Sequence, residues 1–294
     1  MNNFPRLITA MVTPFNDDYS VDFEGAQELA VRLITEGNDG LVISGTTGES
    51  PTLSKQEKLD LFKVIKERVG SRAQIFAGTG LNDSLATARF TEEASLTGVD
   101  GLMLVTPYYN KPSQAGLYQH FKTIAQATDL PIILYNVPGR TAVNLFPETT
   151  AKLAEIPNII ALKEASGNLD QVSTLRTILP PDFYILSGDD SLTLPMLALG
   201  CHGVISVAAH LVGRQMREMI NAYLIGDIAK AAQIHGKLFP LFKALFIVSN
   251  PIPVKTALNL VGKPAGKLRL PLVEPQDSEV QIIKKALREI GLLA

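Results

Sequence analysis

Short runs in which nearly every residue is apolar alternate with amphipathic segments from one end of the chain to the other. The runs are Leu7–Val12, Gly40–Ser44, Gln74–Ala77, Gly101–Val105, Pro131–Tyr135, Ile159–Lys163, Tyr184–Ser187 and Gly203–Val207. Short continuous apolar runs of this kind read as parallel strands covered on both faces. The segments between them follow a helical pattern. Ser54-Lys55-Gln56-Glu57 is a capping box, in which the serine oxygen and the glutamate satisfy free backbone amides. Phe62, Ile65 and Val69 then recur at helical spacing. Asn168 and Ser191 are predicted to cap later helices.

Eight strand–helix units fit in roughly the first 225 residues, and eight is the number that closes an α/β fold of the (β/α)8, or TIM, barrel type. A doubly wound open sheet is the structural alternative. No G-x-G-x-x-G follows the first strand, which disfavours its dinucleotide-binding form. Residues 1–225 are therefore read as the barrel and 226–294 as a C-terminal helical region packed on it. In that tail Val280, Ile283, Leu287 and Ile290 follow 3-4-3 spacing, with Asp277 or Ser278 as the cap. Asn250-Pro251-Ile252-Pro253 is expected to break the helices before it.

Composition narrows the class. A chain of 294 residues, 46% hydrophobic and 19% charged, is long and apolar enough to bury a large core. The net charge of −2 comes with no basic block, so nothing points to nucleic acid. A single cysteine, Cys201, excludes an intrachain disulfide and fits a reducing compartment. The N-terminus lacks a signal-peptide pattern, and no apolar stretch reaches the length of a membrane span. The expectation is a soluble cytoplasmic protein.

In a barrel, function collects at the C-terminal ends of the strands. Here those ends carry the polar residues: Gly45-Thr46-Thr47-Gly48-Glu49-Ser50, Gly78-Thr79-Gly80, Thr106-Pro107-Tyr108-Tyr109-Asn110, Tyr135 through Thr141, Lys163-Glu164 and Ser187-Gly188-Asp189-Asp190. Lys163 stands out because it ends an apolar strand. Lysine is rarely buried without a partner or a task. Desolvation disfavours its ammonium form and leaves an amine able to attack carbonyls and form a Schiff base. The competing reading is a lysine whose stem packs while its head snorkels to water.

The Gly-Thr-Thr-Gly turn offers amides and hydroxyls to a small anion, or is simply a glycine turn with satisfied hydroxyls; it lacks the Walker spacing. Tyr109 and Tyr135 stand at strand ends as candidates for proton transfer, whereas Tyr108 is as readily a packing residue. Arg140 offers a planar fork for a carboxylate, or forms a surface ion pair. His120, His202, His210 and His235 show no metal-ligand spacing, and Asp189-Asp190 reads as capping rather than as a magnesium site.

These strand-end motifs, in this order, resemble the 4-hydroxy-tetrahydrodipicolinate (dihydrodipicolinate) synthases of bacterial lysine biosynthesis. That group belongs to the pyruvate-dependent class I aldolases, with N-acetylneuraminate lyase among its siblings. The motifs are Gly45–Glu49, Val105–Asn110, Leu134–Thr141, Leu162–Asn168, Ser187–Asp190, Gly203–Val207 and Asn250–Lys255, and they cover nearly the whole chain. The resemblance implies a lyase in which Lys163 holds pyruvate as a Schiff base and Tyr135 moves protons. It implies that Thr46 links Tyr135 to Tyr109, which reaches in from a neighbouring subunit of a homotetramer built from two dimers. It assigns Thr47, with the Thr46 amide, to the pyruvate carboxylate and Arg140 to the carboxylate of L-aspartate 4-semialdehyde. Gly188 and Ile205 shape the pocket near the lysine. The imine serves as electron sink, so no metal or organic cofactor is expected. A sibling aldolase acting on sialic acid or a keto-deoxy sugar acid is the alternative, and the Asn136–Thr141 context argues for the synthase.

One departure matters. Many members of this family are inhibited by lysine bound near Ser50, Asn82 and Tyr108, with histidines at positions 55 and 58 and an acid at 86. This chain has Lys55, Lys58 and Ala86, with Pro51 beside Ser50. Two cations and no acid predict weak or absent lysine inhibition.

Overall fold

The computed structural model describes residues 4–263 and 265–294. Eight parallel strands close into a barrel in sequence order: β1 (Leu7–Ala10), β2 (Gly40–Ile43), β3 (Gln74–Gly78), β4 (Gly101–Val105), β5 (Ile132–Asn136), β6 (Ile159–Glu164), β7 (Tyr184–Ser187) and β8 (Gly203–Ser206). Pairing of β8 with β1 closes the ring and removes the open-sheet alternative. Each predicted apolar run overlaps one strand, and β3, β5 and β6 run one residue past it, to Gly78, Asn136 and Glu164. β2 stops one residue short of its run because Ser44 takes a left-handed backbone (φ 56°). β8 likewise stops at Ser206, where the next two amides turn to the Asp190 carboxylate.

The strands are apolar at nearly every position because both faces are buried. Ile8, Ala10, Val42, Phe76, Met103, Ile133, Ala161, Leu186 and Ile205 belong to one apolar cluster, the barrel interior. Their neighbours Leu41, Ile43, Ile75, Leu102, Leu134, Leu162 and Ile185 belong to a larger cluster beneath the helices. This two-residue alternation is the pleat of the strand, and it decides which side chains can reach the barrel mouth. At the opposite, N-terminal end, the Phe4 ring stacks on Tyr184 with centroids 4.4 Å apart and meets Phe76 edge-on at 5.9 Å.

The predicted capping box at Ser54 and Glu57 is present and opens the helix Lys55–Val69, whose Phe62, Ile65 and Val69 are buried. Asn168 caps the helix Leu169–Ile178. Ser191 is not a cap: it lies inside a short 3-10 turn that Asp189 caps, because the Asp189 carboxylate reaches the Ser191 amide first, at 2.8 Å. The last helix, Asp277–Glu289, is capped by Gln276 rather than by Asp277 or Ser278. Gln276 still has extended backbone, and it forms a capping box with Glu279.

The C-terminal helix Ile228–Ala244 packs on Ala209–Leu224, and Ile252–Leu260 packs on Asp277–Glu289. Between Ala244 and Ile252 the helical run is interrupted, with the break beginning before Pro251, and Pro253 sits in the first turn of the next helix, where proline is tolerated. No helix among the described residues is long and apolar enough to cross a membrane.

Candidate active site

Lys163 and Tyr135 are register partners on β6 and β5. Both point into the barrel, continuing the interior positions Ala161 and Ile133. Lys163 is 5% exposed, and its Nζ lies 4.1 Å from the centre of the Tyr135 ring. The next residue, Glu164, points the other way, as strand alternation demands. Its carboxylate accepts from Asn136 Nδ2, Gln171 Nε2 and the Ser166 amide.

Burial therefore acts on Lys163 without the neighbouring carboxylate to offset it. Desolvation pushes the amine down to about 7; the negative charge of Asp190 opposes that shift and the positive charge of Arg140 assists it. The same burial pushes the Tyr135 phenol up, opposed by Arg140 and by a hydrogen bond with Thr46. The Tyr135 ring face 4.1 Å away attracts the ammonium form. The snorkelling alternative fails on geometry, because the head of Lys163 ends inside the barrel.

The Gly-Thr-Thr-Gly turn follows β2. It is closed by the Gly48 amide donating to the Gly45 carbonyl (3.1 Å) and the Glu49 amide to the Thr46 carbonyl (3.1 Å). These bonds leave the Thr46 and Thr47 amides outside the turn's own ladder. Gly48 is needed for close approach, since a Cβ there would lie 3.1 Å from the Met11 carbonyl oxygen. Thr47 is buried, and its hydroxyl accepts from Asn250 Nδ2 at 2.9 Å. The Asn250 carbonyl accepts from Arg140 at 3.2 Å. One residue of the C-terminal region thus touches both predicted carboxylate-binding side chains.

A second strut holds this turn. Glu49, in a left-handed conformation (φ 55°), forms a fully buried ion pair with Lys255 at 2.6 Å and accepts from the Arg269 amide at 2.9 Å. Lys255 also donates to the Lys267 carbonyl and lies 4.3 Å from the centre of the Phe15 ring.

Gly188 stands at the end of β7, where a Cβ would fall 3.2 Å from Lys163 Cε and 2.6 Å from Ala165 Cβ. Ile205 is buried in the interior cluster. Thr46, Tyr135 and Arg140 line a cavity of about 390 Å³ together with Ser44, Tyr108, Thr141 and Lys58. Tyr109 is not brought to it. That side chain is 89% exposed, on a left-handed backbone (φ 75°) at the rim.

Sequence reading undervalued Asp190 and overlooked Asn250. Asp189 caps, as expected of the pair, whereas Asp190 is buried and bears on Lys163. It accepts from Ser206 Oγ at 2.5 Å and from the Val207 and Ala208 amides at 3.1 and 2.8 Å, and burial raises it to about 6. Nothing local marked it apart from Asp189. Asn250 lay inside a motif but next to prolines, so it read as punctuation. Two of the histidines are structural: His210 accepts from the Val12 amide and is held neutral by burial, at about 4, and His202 bonds to the Phe4 carbonyl. Among the described residues no group of three or more His, Cys, Asp or Glu is placed to hold a metal.

The region read from sequence as a departure is built differently from expectation in one respect. An acid is present, since Glu93 pairs with Lys55 at 2.8 Å. Ala86 is exposed, and Lys58 is buried with no carboxylate.

Residues 3–290 match the model of the dihydrodipicolinate synthetase family. A 4-hydroxy-tetrahydrodipicolinate synthase of Desulforamulus reducens is 57% identical over 292 residues, 99% of each chain. One of Moorella thermoacetica is 57% identical over 288 residues, 98% of this chain and 99% of its own. The crystal structure of DHDPS from Cyanidioschyzon merolae, solved with lysine bound, superposes with a TM-score of 0.97 at 46% identity and covers 99% of both chains. With closed barrel, interior lysine and strand-end motifs in agreement, the chain belongs to the dihydrodipicolinate synthetase family.

Proposed function

We propose that this chain condenses pyruvate with L-aspartate 4-semialdehyde to give 4-hydroxy-tetrahydrodipicolinate, the committed step toward diaminopimelate and lysine, through a Schiff base on Lys163. The observation that carries the reading is the buried Lys163 amine, at about 7, against the Tyr135 ring. An amine with that value is about half neutral at pH 7, whereas an ordinary lysine at about 10.4 is almost wholly protonated.

The neutral amine attacks the ketone carbon of pyruvate, and water leaves as the protonated imine forms. The imine withdraws electrons, so the pyruvate methyl loses a proton and becomes an enamine. The enamine carbon bonds to the aldehyde carbon, whose oxygen takes up a proton. The amine of the semialdehyde then displaces Lys163, closing the ring and freeing the lysine. The net loss is one water.

Proton transfers at these steps are assigned to Tyr135. A phenol raised by burial needs a hydrogen-bonded neighbour to exchange protons near neutrality, and Thr46 is that neighbour. Thr47 with the Thr46 amide holds the pyruvate carboxylate, and Arg140 guides the carboxylate of the second substrate. Gly188 leaves room for the moving stem of Lys163, and Ile205 forms an apolar wall beside it.

Tyr109 completes the relay from a neighbouring subunit of a tetramer of two dimers. Its exposure at the rim, on a strained backbone, supports a role toward a partner rather than within its own chain. Residues 226–294 act as one unit with the barrel of 1–225, because Asn250 and Lys255 hold the turn that carries Thr46 and Thr47.

Borohydride reduction in the presence of pyruvate tests the mechanism. The expected result is one pyruvate-derived group per chain, on Lys163. Unchanged labelling of Lys163→Ala would reject the Schiff base. A side-by-side assay of pyruvate with aspartate semialdehyde and with N-acetylmannosamine tests the substrate; turnover of the sugar alone would overturn it.

A further inference from the structure

A polar network lies behind the barrel wall, on the outward faces of β5 and β6. Asn136 follows Tyr135, Glu164 follows Lys163, and the two are register partners. Strand alternation turns both away from the interior. Asn136, Glu164 and Gln171 are buried, and Asn144 is half-buried beside them. Asn136 Nδ2 donates to Asn144 Oδ1 at 2.8 Å and to Glu164 Oε2 at 3.0 Å. Gln171, on the helix Leu169–Ile178, donates from Nε2 to Glu164 Oε2 at 3.1 Å and accepts from Asn144 Nδ2 at 2.8 Å. Among the described residues, amide donors alone hold the Glu164 carboxylate.

The network encloses the loop that carries Arg140. That loop leaves β5 after Asn136 and closes where the Leu145 amide donates to Asn136 Oδ1 at 2.9 Å. Gln114, on the helix Gln114–Ala125, grips the same end. It donates to the Asn144 carbonyl at 2.8 Å and accepts from the Phe146 amide at 3.1 Å. Between these ties Arg140 sits on the short helix Pro138–Thr141, which ends at Ala142 in a left-handed conformation (φ 58°). A non-glycine residue keeps that conformation only where its surroundings over-determine it. The Asn144–Gln171, Asn136–Glu164 and Gln171–Glu164 bonds join side chain to side chain and satisfy no backbone group. Burying such groups is costly unless each is bonded, and a fully bonded set fixes one arrangement.

We propose that Asn144 and Gln171 are positioning residues for the second substrate: with Asn136 they lock the Arg140 loop to the strand that carries Lys163. Neither lines the cavity; both act through Arg140, which does. Asn250 orients the Arg140 guanidinium, at 3.2 Å, and the network places the backbone that bears it. The distance between the amine and the carboxylate fork is thus set from behind the barrel wall. Its use for the semialdehyde rests on the proposed condensation; the lock itself does not.

Two variants of the full-length protein test this. Asn144→Ala removes the loop's side-chain bonds to Asn136 and Gln171. Gln171→Met keeps the stem and the Asn136–Asn144 bond. Hydrogen exchange without substrate reads the lock. The Arg140, Thr141 and Ala142 amides, bonded to the Val137 and Pro138 carbonyls, should exchange about tenfold faster in Asn144→Ala, with β5 and β6 unchanged. Steady-state kinetics read its purpose. The KM for aspartate semialdehyde should rise about tenfold, while borohydride-trapped labelling by pyruvate stays within about twofold. Gln171→Met should move both readouts the same way, by about threefold, and carries the test alone if Asn144→Ala fails to fold. Parental loop exchange, or faster exchange throughout the barrel, overturns the lock. A parental KM for the semialdehyde, or an equal rise in both KM values, overturns the positioning role. If the unmodified protein does not turn over the semialdehyde, the condensation falls and the substrate assignment with it, while the exchange rates still decide the lock.

Discussion

Lys163 Nζ lies 4.1 Å from the centre of the Tyr135 ring, and the two residues are paired in register across β5 and β6. The barrel therefore delivers the amine and the phenol to the same interior layer, and burial acts on both, lowering one and raising the other. With Lys163 at about 7, pyruvate labelling should rise from acid pH and level off above about 8, as the amine becomes neutral. A rate that keeps climbing to pH 10 shows an ordinary lysine instead. The same shift has a sign in stability. Between about 7 and 10.5 the unfolded chain holds a proton that the folded chain has released, so this group's contribution to stability rises with pH across that window.

Gly188→Ala should slow Schiff-base formation while leaving the barrel folded. Its added methyl falls 3.2 Å from Lys163 Cε and 2.6 Å from Ala165 Cβ, so both must give way. The readout is the rate of borohydride-trapped labelling, with circular dichroism as the control. Labelling at the parental rate shows that the lysine stem does not need this space.

Asn250 holds the two side chains proposed to bind the substrate carboxylates through different atoms. Its side chain donates to Thr47, whereas its backbone carbonyl accepts from Arg140. Asn250→Ala should raise the KM for pyruvate about tenfold, the worth of one oriented hydrogen bond, and leave the KM for the semialdehyde nearly unchanged. An equal rise in both constants points to general disorder of the loop.

The Glu49–Lys255 pair is 1% exposed on each side. Lys255→Met leaves a buried carboxylate unpaired and should cost about 3–5 kcal/mol of stability by urea unfolding. Adding Glu49→Gln to that variant should recover part of the loss. No recovery in the double variant contradicts an electrostatic origin.

L-Lysine should inhibit weakly or not at all, unlike a site built for a cation. Lys58 is buried without a carboxylate, position 86 is Ala86, and Glu93 pairs with Lys55 at 2.8 Å. Potent inhibition by sub-millimolar lysine in a purified-enzyme assay would show that the local charge does not govern this site.

The order and type of the strands were legible in the sequence because both faces of every strand are buried. That makes each strand a nearly unbroken apolar run with a polar end: glycine, serine or threonine on most, Asn136 on β5 and Lys163-Glu164 on β6. Lys163, Tyr135 and the Gly-Thr-Thr-Gly turn were legible too, since polar residues at the end of such runs have one place to go, the barrel mouth. Long-range pairing was not written locally. Asn250 meets Thr47 across 203 positions of sequence, and Arg269 meets Glu49 across 220. Neither contact has a period or a spacing to betray it. Asp190 looked like its neighbour Asp189 until closure of the barrel buried it against the end of β8. The sequence by itself determined which residues the barrel carries to its mouth, through the pleat and the apolar pattern. Tertiary structure alone decided their charge states and their supports, because desolvation and buried pairing depend on what the rest of the chain brings alongside.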